Sequence, residues 1–364
     1  MTYLSSQHRV AILLHQGIRD GSGKTGLTFL RYGESPVVAL IDQDCRGESF
    51  SVSDRGLNRD RNSGHCSQTL PIVGSVSDAL AYEPDVLLIG IAPSGGQLPV
   101  AWWEEVQLGV AAGLSVVNGL HTPMATQFSS QSNGGLQPGQ WIWDVRQEPA
   151  NLMIGKGRAR ALACQRVLMV GTDMGVGKMS AGLELWRAAR QASYATAFLA
   201  TGQSGMIITS RGVPLDAVRV DFAAGAIEQQ TLEQGQDCDL LWIEGQGSLL
   251  HPGSTATLPL LRGSQPTDLI LVHRIDRDTI HSCPDVKIPP LPEVVRLYEA
   301  VAAGGGAFPP TRVRGIALNT VALDGVAAKA AIARVAADTG LPCTDVVRFG
   351  ANILLDAVRQ ARAD

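Results

Sequence analysis

The 364-residue chain has little that would favour a secreted, disulfide-bonded or metal-binding protein. Its six cysteines are scattered, with no CxxC pair and no spacing typical of metal ligands, and this pattern indicates reduced thiols. The first ten residues lack the order of basic, apolar and small residues found in a secretory signal. No apolar run approaches the roughly 20 residues of a membrane span. We therefore expect a soluble, cytoplasmic protein with no metal centre and no membrane contact.

The sequence also lacks an excess of positive charge. Its 30 basic and 34 acidic side chains give a formal net charge of −4, so no overall field would attract nucleic acid. The six tryptophans are not interleaved with basic residues, as they would be in an aromatic platform for single strands. These features exclude nucleic acid as a partner and require any anion site to be local. They also allow self-association, and we expect a homo-oligomer.

Short aliphatic runs alternate with longer amphipathic stretches in two successive blocks, which is typical of βα units on parallel sheets. Residues 122–140 are rich in Ser, Gln and Gly, and we expect an interdomain or lid segment there. We predict an α/β protein with a Rossmann-like parallel sheet over residues 1–150 and a second, doubly wound parallel sheet over residues 151–364. The aliphatic runs are at 10–14, 37–41, 86–90, 115–117, 166–170, 196–200, 240–243, 269–272 and 315–318.

A glycine-rich loop follows the first predicted strand of the second block. Glycines let successive backbone N–H groups turn towards a phosphate, the helix that follows adds its dipole, and Lys178 can reach a terminal phosphate. Five residues separate Gly171 from Gly177, one more than in the common form of this motif. The alternative is a glycine-rich turn with a surface lysine. We predict a phosphate site formed by Gly171, Thr172, Asp173, Gly175, Val176, Gly177, Lys178, Met179 and Ser180.

Met179 occupies the position at which P-loop enzymes carry a hydroxyl group that holds Mg²⁺. A thioether is a poor ligand for that hard cation. Either Thr172 or Ser180 supplies the hydroxyl group instead, or the loop holds a phosphate without ordinary ATP hydrolysis.

Polar residues follow the other predicted strands of the second block, and the carboxyl ends of parallel strands meet at one edge of a sheet. Glu244 could accept a proton or hold a metal, and His251 could act as a general base. The alternatives are a turn cap for Glu244 and a packed imidazole for His251. Arg274 could bind a carboxylate with both arms of its guanidinium. We assign the catalytic role to Glu244 and His251, cofactor binding also to Asn319, and substrate binding to Thr201, Gln203, Ser204, His273 and Arg274.

A second glycine-containing loop, Gly17 to Thr25, follows the first strand of the N-terminal block. It ends in Gly23-Lys24-Thr25, which is similar to the end of a P-loop. Asp42 ends the second strand and suits a ribose contact in a dinucleotide-binding fold. The loop is either an anion site or a tight turn.

Taken together, these motifs resemble the D-glutamate N-acetyltransferase (DgcN-like) family, formerly a domain of unknown function. The resemblance covers nearly the whole chain. It implies a Rossmann-like N-terminal domain, a P-loop NTPase-like domain related to dethiobiotin synthetase, and acetyl transfer from acetyl-CoA to the amine of a D-amino acid. The motifs are HQGIRDGSGKTGLTFLRYG at 15–33, LIDQD at 40–44, GTDMGVGKMS at 171–180, ATGQSG at 200–205, VDFAAGAIE at 220–228, EGQGSLLHP at 244–252 and GSQPTDLILVHR at 263–274.

From this resemblance we expect an acetyl-CoA-dependent N-acyltransferase that acts on a small acidic amino acid such as D-glutamate. Because no γ-phosphoryl group would be transferred, Met179 would fit this chemistry. Two alternatives stay open. One is an ATP- and Mg²⁺-dependent ligase or small-molecule kinase of the dethiobiotin synthetase kind, and the other is a non-catalytic nucleotide-binding protein.

Overall fold

The computed structural model describes residues 4–20, 22–51, 69–91, 98–128 and 135–360. The chain forms two compact units, one of residues 1–147 with 203–214 and one of residues 148–202 with 215–364. The first unit therefore receives a short segment that is inserted into the sequence of the second. Gly21 and Cys66, which belong to the patterns discussed above, lie outside the described residues.

The strands are β1 (Val10–Leu13), β2 (Val37–Ile41), β3 (Ser49–Ser51), β4 (Thr69–Val73), β5 (Val86–Ile89), β6 (Ser115–Asn118), β7 (Ile142–Asp144), β8 (Gln165–Gly171), β9 (Thr196–Leu199), β10 (Leu240–Ile243), β11 (Asp268–Arg274), β12 (Thr279–Ile280), β13 (Cys283–Lys287), β14 (Arg312–Asn319) and β15 (Cys343–Thr344). The α-helices are α1 (Gly17–Asp20), α2 (Lys24–Tyr32), α3 (Val76–Ala79), α4 (Val100–Ala111), α5 (Ala125–Phe128), α6 (Lys178–Gln191), α7 (Gln203–Thr209), α8 (Val220–Gly235), α9 (Thr257–Ser264), α10 (Leu291–Ala303), α11 (Gly325–Thr339) and α12 (Asn352–Gln360).

Seven strands of the first unit form one sheet within the described residues, in the order β3-β4-β2-β1-β5-β6-β7. Strand β3 runs antiparallel to β4, so the prediction of a purely parallel sheet is wrong at this edge. Three residues are too few to show a period in the sequence. The remaining neighbours pair in parallel. Strands β1 and β5 are buried along their whole length, as expected for a parallel sheet covered on both faces.

The segment rich in Ser, Gln and Gly after residue 122 is part of the first unit. Strand β7 follows it and pairs in parallel with β6. The Asp144 carboxylate accepts the N–H groups of Met124 and Ala125, each at 2.9 Å, which ties α5 to the end of β7. The expected interdomain position is therefore wrong, because loop composition does not reveal which elements a loop joins, whereas the lid role stays a prediction. Residues 129–134 of this segment are outside the described part of the chain.

Six strands of the second unit form a parallel sheet among the described residues, in the order β15-β14-β11-β8-β10-β9. Strand β8 lies between β10 and β11, and all seven of its residues are buried. The carboxyl ends of these strands therefore meet at one edge, as predicted. Strands β12 and β13 form a separate antiparallel pair after β11. In the described ranges, no helix has both the length and the apolar character that a membrane span requires.

Candidate functional site

The glycine-rich loop of the second unit connects β8 to helix α6. Gly175 and Gly177 have φ angles of +66° and +114°, which side chains other than glycine rarely adopt. None of the backbone N–H groups of Gly175, Val176 and Gly177 donates a hydrogen bond to another described residue. Consecutive N–H groups in this kind of conformation form an anion-binding concavity. The geometry is that of a phosphate-binding loop at the start of a helix.

Lys178 is the first residue of α6, and its side chain folds back over the loop. Its ammonium donates to the Asp173 carbonyl oxygen at 2.8 Å. A Cβ atom placed on Gly171 would lie 3.2 Å from Lys178 Nζ, and one on Gly245 would lie 3.0 Å from Lys178 Cδ. Only glycine at positions 171 and 245 leaves room for the Lys178 side chain to lie over the loop. The residue is 7% exposed, so its charge is directed to the loop instead of to bulk solvent.

Asp173 fixes the outer side of the loop. Its Oδ1 atom accepts the Met174 N–H at 2.6 Å, and its Oδ2 atom accepts from Arg277 Nη1 at 2.9 Å and from the His281 N–H at 2.8 Å. Arg277 also donates to the Met174 carbonyl oxygen at 2.8 Å. The Asp173 carboxylate is thus occupied by the protein, which favours a positioning role over the predicted cofactor contact.

Arg277 is a basic residue at the loop that the sequence analysis did not single out. Its Nη2 atom lies 4.0 Å from the position of a Cβ atom on Gly175. The guanidinium therefore adds positive charge beside the free N–H groups. In the sequence, only the charged run after β11 points to a basic residue near the loop. It does not show that Arg277, and not Arg274, reaches the loop.

Thr172 and His273 form a buried pair at the ends of β8 and β11. Thr172 Oγ1 lies 2.9 Å from His273 Nδ1. Burial lowers the pKa of His273 to about 4, so the imidazole is neutral at physiological pH. His273 therefore cannot bind a substrate carboxylate through charge, and the Thr172 hydroxyl is already engaged.

Acid should destabilise the protein through His273. The folded-state pKa of about 4 lies below the ordinary value of 6.5, so the unfolded chain binds a proton first as the pH falls. The stability contributed by the neutral imidazole is complete above pH 6.5 and is lost as the pH falls through 4. Between pH 7.5 and 5 we expect His273 to account for a loss of about 2 kcal/mol in the free energy of unfolding. Urea titrations of wild type and His273→Gln at both pH values measure this, and an equal pH dependence in the two proteins would contradict it.

Glu244 follows β10 and lies beside the end of β9. Its Oε2 atom accepts the N–H groups of Thr201 at 2.9 Å and Gly202 at 3.2 Å. Thr201 Oγ1 donates to the Glu244 carbonyl oxygen at 3.0 Å. Glu244 is 5% exposed, and the next residue, Gly245, packs against the Lys178 side chain. Thr201 thus supports Glu244 near the loop, which differs from its predicted substrate contact.

His251 lies further along the segment that follows β10. Its Nδ1 atom accepts the Gly253 N–H at 3.0 Å, and its Nε2 atom lies 3.3 Å from Ser282 Oγ. A neutral imidazole that accepts at Nδ1 carries its proton on Nε2. Both ring nitrogens are therefore occupied, and His251 is less suited than Glu244 to accept a proton.

Asn319 and Arg274 occupy the carboxyl ends of β14 and β11. Asn319 Nδ2 donates to the Val176 carbonyl oxygen at 3.0 Å, which ties β14 to the glycine loop. Arg274 donates to Asp276 from Nε at 2.7 Å and from Nη2 at 2.9 Å. A substrate carboxylate would have to share this guanidinium with Asp276.

Gln203 and Ser204 belong to the first unit, directly after Thr201 and Gly202 of the second. They begin helix α7 in the first unit, where Ser204 Oγ lies 3.4 Å from Thr25 Oγ1. Their expected place in a loop is wrong, because buried Met206 and Ile207 stabilise a helix despite the glycine and serine nearby. Their role in substrate binding stays a prediction.

Tyr298 is a positioning residue that the sequence did not reveal. Its hydroxyl donates to the Gly171 carbonyl oxygen at 2.7 Å and accepts the Leu249 N–H at 3.1 Å. It thereby joins the start of the glycine loop to the segment that contains Glu244 and His251. In the sequence it is an ordinary aromatic residue on the apolar face of α10.

Replacing Tyr298 by phenylalanine should lower the free energy of unfolding by about 1–3 kcal/mol. The buried Leu249 N–H and Gly171 oxygen would each lose a partner. Phenylalanine keeps the packing, so the loss reports on the hydroxyl. Urea denaturation measures it, with the exposed Tyr82→Phe as the matched control. A loss no larger than that of the control would show that the hydroxyl does not hold the loop.

A cavity of about 450 Å³ lies at the opposite, amino-terminal edge of the second sheet. It is lined by the first residues of β8 and β11, Gln165 and Asp268, together with Arg166 and Arg314. Arg314 pairs with Asp268, and the Arg166 guanidinium donates to three backbone carbonyl groups. The polar residues that follow the strands lie at the carboxyl edge, where α/β sheets bind their ligands. We therefore place the candidate site there.

Comparison with known proteins covers both units. A model described as the P-loop domain DUF1611_C, a domain of unknown function, matches residues 153–355, and the Rossmann-like domain model DUF1611_N matches residues 55–148. A D-glutamate N-acetyltransferase of Tritonibacter scottomollicae is 35% identical over 286 residues, which cover 78% of this chain and 84% of that protein. One from a Pseudoalteromonas species is 31% identical over 282 residues, which cover 77% and 83%. The crystal structure of a DUF1611 family protein from Anabaena variabilis is similar with a TM-score of 0.90 and 58% identity, covering 97% of this chain and 99% of that one.

Proposed function

Since the chain belongs to the DUF1611 family, with its Rossmann-like and P-loop domains, we propose that it transfers an acetyl group from acetyl-CoA to the amine of D-glutamate. The observation that carries the proposal is the similarity to two D-glutamate N-acetyltransferases over more than three quarters of the chain. The predicted cytoplasmic location and homo-oligomeric state stay predictions.

The glycine loop fits the phosphates of acetyl-CoA. The backbone N–H groups of Gly175, Val176 and Gly177 have no partner among the described residues. Lys178 adds a positive charge beside them, and Arg277, which also pairs with Asp173, adds further N–H donors. Charge-assisted hydrogen bonds from such donors to phosphate oxygens are about twice as strong as neutral ones. Acetyl-CoA, when bound, supplies an activated acetyl group as a thioester. The loop would hold and orient it without breaking a phosphate bond.

Met179 favours acetyl-CoA over ATP as the ligand of this loop. An enzyme that transfers the γ-phosphoryl group of ATP places a hydroxyl-bound Mg²⁺ next to the lysine, and a thioether does not suit that cation. The Thr172 hydroxyl, one of the two possible substitutes, is hydrogen-bonded to His273. Ser180 remains the other substitute for the ligase or kinase alternative.

Glu244 is the residue that we assign as proton acceptor. The ammonium of an amino acid must lose a proton before its nitrogen can form the C–N bond as the C–S bond breaks. The Glu244 carboxylate is held by two backbone N–H groups, both on Oε2, which fixes its orientation next to the loop. His251 has both ring nitrogens engaged and is better suited to maintaining the segment that carries Glu244.

Arg274 is our candidate for binding a carboxylate of D-glutamate. Its guanidinium is fixed by Asp276 through Nε and Nη2, and a substrate carboxylate would bind to its other N–H groups. A fixed arginine loses less conformational entropy on binding than a free one.

Isothermal titration calorimetry of the full chain tests the nature of the ligand. We expect acetyl-CoA to bind with the same affinity in buffer with EDTA and in buffer with Mg²⁺. ATP should bind more weakly than acetyl-CoA in both. Tight ATP binding that requires Mg²⁺, together with weak acetyl-CoA binding, would favour the ligase or kinase and contradict the proposal.

A further inference from the structure

The first unit has its own crevice at the carboxyl edge of its sheet. Strand β1 lies between β2 and β5 and pairs in parallel with both. The chain builds β2 and β4 on one side of β1, and then β5, β6 and β7 on the other. In open α/β sheets, the crevice where the strand order reverses is the general place for a ligand. We define this crevice by Gly17, Gly23, Lys24 and Asp42.

The glycines of this crevice are required by backbone contacts. A Cβ atom on Gly17 would lie 2.7 Å from the Gly23 nitrogen, and one on Gly23 would lie 2.5 Å from the Gly17 oxygen. Gly26 donates its N–H to the Gly90 oxygen at 2.8 Å, and a Cβ atom there would lie 3.0 Å from Gly90 Cα. Gly17 and Gly23 make the turn tight, and Gly26 and Gly90 bring α2 against the end of β5. Both are features of dinucleotide-binding loops.

Asp42 is a buried carboxylate with an unsatisfied oxygen that needs a donor. The residue is 1% exposed and directly follows β2. Its Oδ1 atom accepts the N–H groups of Gln16 at 3.3 Å and Asp44 at 3.0 Å, so the carboxylate faces the loop after β1. Its Oδ2 atom accepts no hydrogen bond from any residue that the structure describes. A buried oxygen of this kind is seldom left without a partner, and a ligand hydroxyl group would supply one.

Helix α2 offers a phosphate site next to this carboxylate. It begins at Lys24, and Gly23 at its N-cap provides no side-chain acceptor for the first N–H groups. Because the Gly26 N–H already donates to the Gly90 oxygen, the N–H groups of Lys24 and Thr25 are the ones that remain for an anion, together with the helix dipole. The Lys24 side chain is exposed and makes no ion pair with another described residue.

We propose that the first unit binds a nucleotide or dinucleotide with a pyrophosphate and a ribose whose 2′- and 3′-hydroxyl groups are both free. The pyrophosphate lies at the start of α2, near Lys24. The Asp42 Oδ2 atom accepts a ribose hydroxyl group. The carboxylate repels a phosphate on that ribose, so CoA, which carries a 3′-phosphate, is excluded. This ligand is therefore distinct from the acetyl donor of the proposed reaction.

The test is a set of calorimetric titrations on the full-length Lys178→Ala protein, in which the loop of the second unit is weakened. The probes are ADP, NAD and NADP, whose extra phosphate is on the 2′-hydroxyl group. We expect ADP or NAD to bind as to wild type, and NADP to bind at least tenfold more weakly than NAD. Binding of ADP alone indicates a nucleoside diphosphate, and binding of NAD with higher affinity indicates a dinucleotide.

Asp42→Asn keeps the Oδ1 acceptor and replaces Oδ2 with a donor. We expect it to weaken ADP or NAD binding at least tenfold and to abolish the discrimination against NADP. Lys24→Ala should weaken the binding of ADP or NAD severalfold without affecting folding. Lys329→Ala on α11 is the matched control. Failure of ADP and NAD to bind to wild type would overturn the proposal. The proposal would also be overturned if Lys178→Ala abolished the binding of ADP and NAD while Asp42→Asn and Lys24→Ala left it unchanged. Neither result would affect acetyl transfer by the second unit.

Discussion

Replacing Lys178 by alanine is expected to weaken acetyl-CoA binding by about 1.5–3 kcal/mol, or roughly 10- to 150-fold, the range for a hydrogen bond to a charged group. Lys178 is the first residue of α6, and its ammonium lies within the glycine loop, bonded to the Asp173 oxygen at 2.8 Å. It is 7% exposed, so solvent screens its charge less than that of a surface lysine. A phosphate in the loop would accept a hydrogen bond from the ammonium.

The measurement is calorimetry with acetyl-CoA on three variants. Lys178→Met preserves most of the buried volume and should lose as much affinity as Lys178→Ala, which separates charge from packing. Lys329→Ala removes an exposed lysine on α11 and should bind like wild type. Equal affinity in all variants would mean that acetyl-CoA does not use this loop.

Changing Glu244 to glutamine should lower kcat for acetyl transfer by about 10²- to 10⁴-fold, the usual contribution of a general base. The glutamine amide oxygen can still accept the N–H groups of Thr201 and Gly202, which now bind Glu244 Oε2. The fold and the affinity for acetyl-CoA should therefore change little. The loss would appear in kcat instead of KM because only proton transfer is affected.

His251→Asn is the comparison that separates the two candidate bases. Because His251 Nδ1 already accepts the Gly253 N–H, we expect a loss of kcat below about tenfold, well short of the value for a general base. Steady-state kinetics with D-glutamate as the varied substrate measures both variants. A nearly normal kcat for Glu244→Gln with a large loss for His251→Asn would reverse the assignment.

Much of the second unit follows from local sequence patterns. The apolar run at 240–243 coincides with β10, and β8, β9, β11 and β14 contain or overlap the predicted runs. Buried parallel strands consist of continuous aliphatic residues, and the glycine-rich motif marks where β8 ends. The polar residues after these strands lie at one edge because the sheet is parallel. Glu244 and Lys178 could therefore be identified from the sequence as candidate site residues.

The contacts that determine each residue's role could not be predicted in the same way. Tyr298 is distant in sequence from both Gly171 and Leu249, yet it joins them. Arg274 and Arg277 lie three positions apart, and only the structure shows that Arg277 faces the glycine loop. The pairing of β3 and the insertion of α7 into the first unit also depend on tertiary packing. Such packing overrides the local composition of residues 200–205.

The most direct measurement is the product of the complete reaction. Purified protein is incubated with acetyl-CoA and D-glutamate in EDTA, without ATP, and the products are followed by mass spectrometry and thiol titration. We expect N-acetyl-D-glutamate and free CoA thiol in equal amounts, with far less product from Glu244→Gln. No product under these conditions, together with D-glutamate-dependent formation of ADP when ATP and Mg²⁺ are supplied, would contradict this expectation.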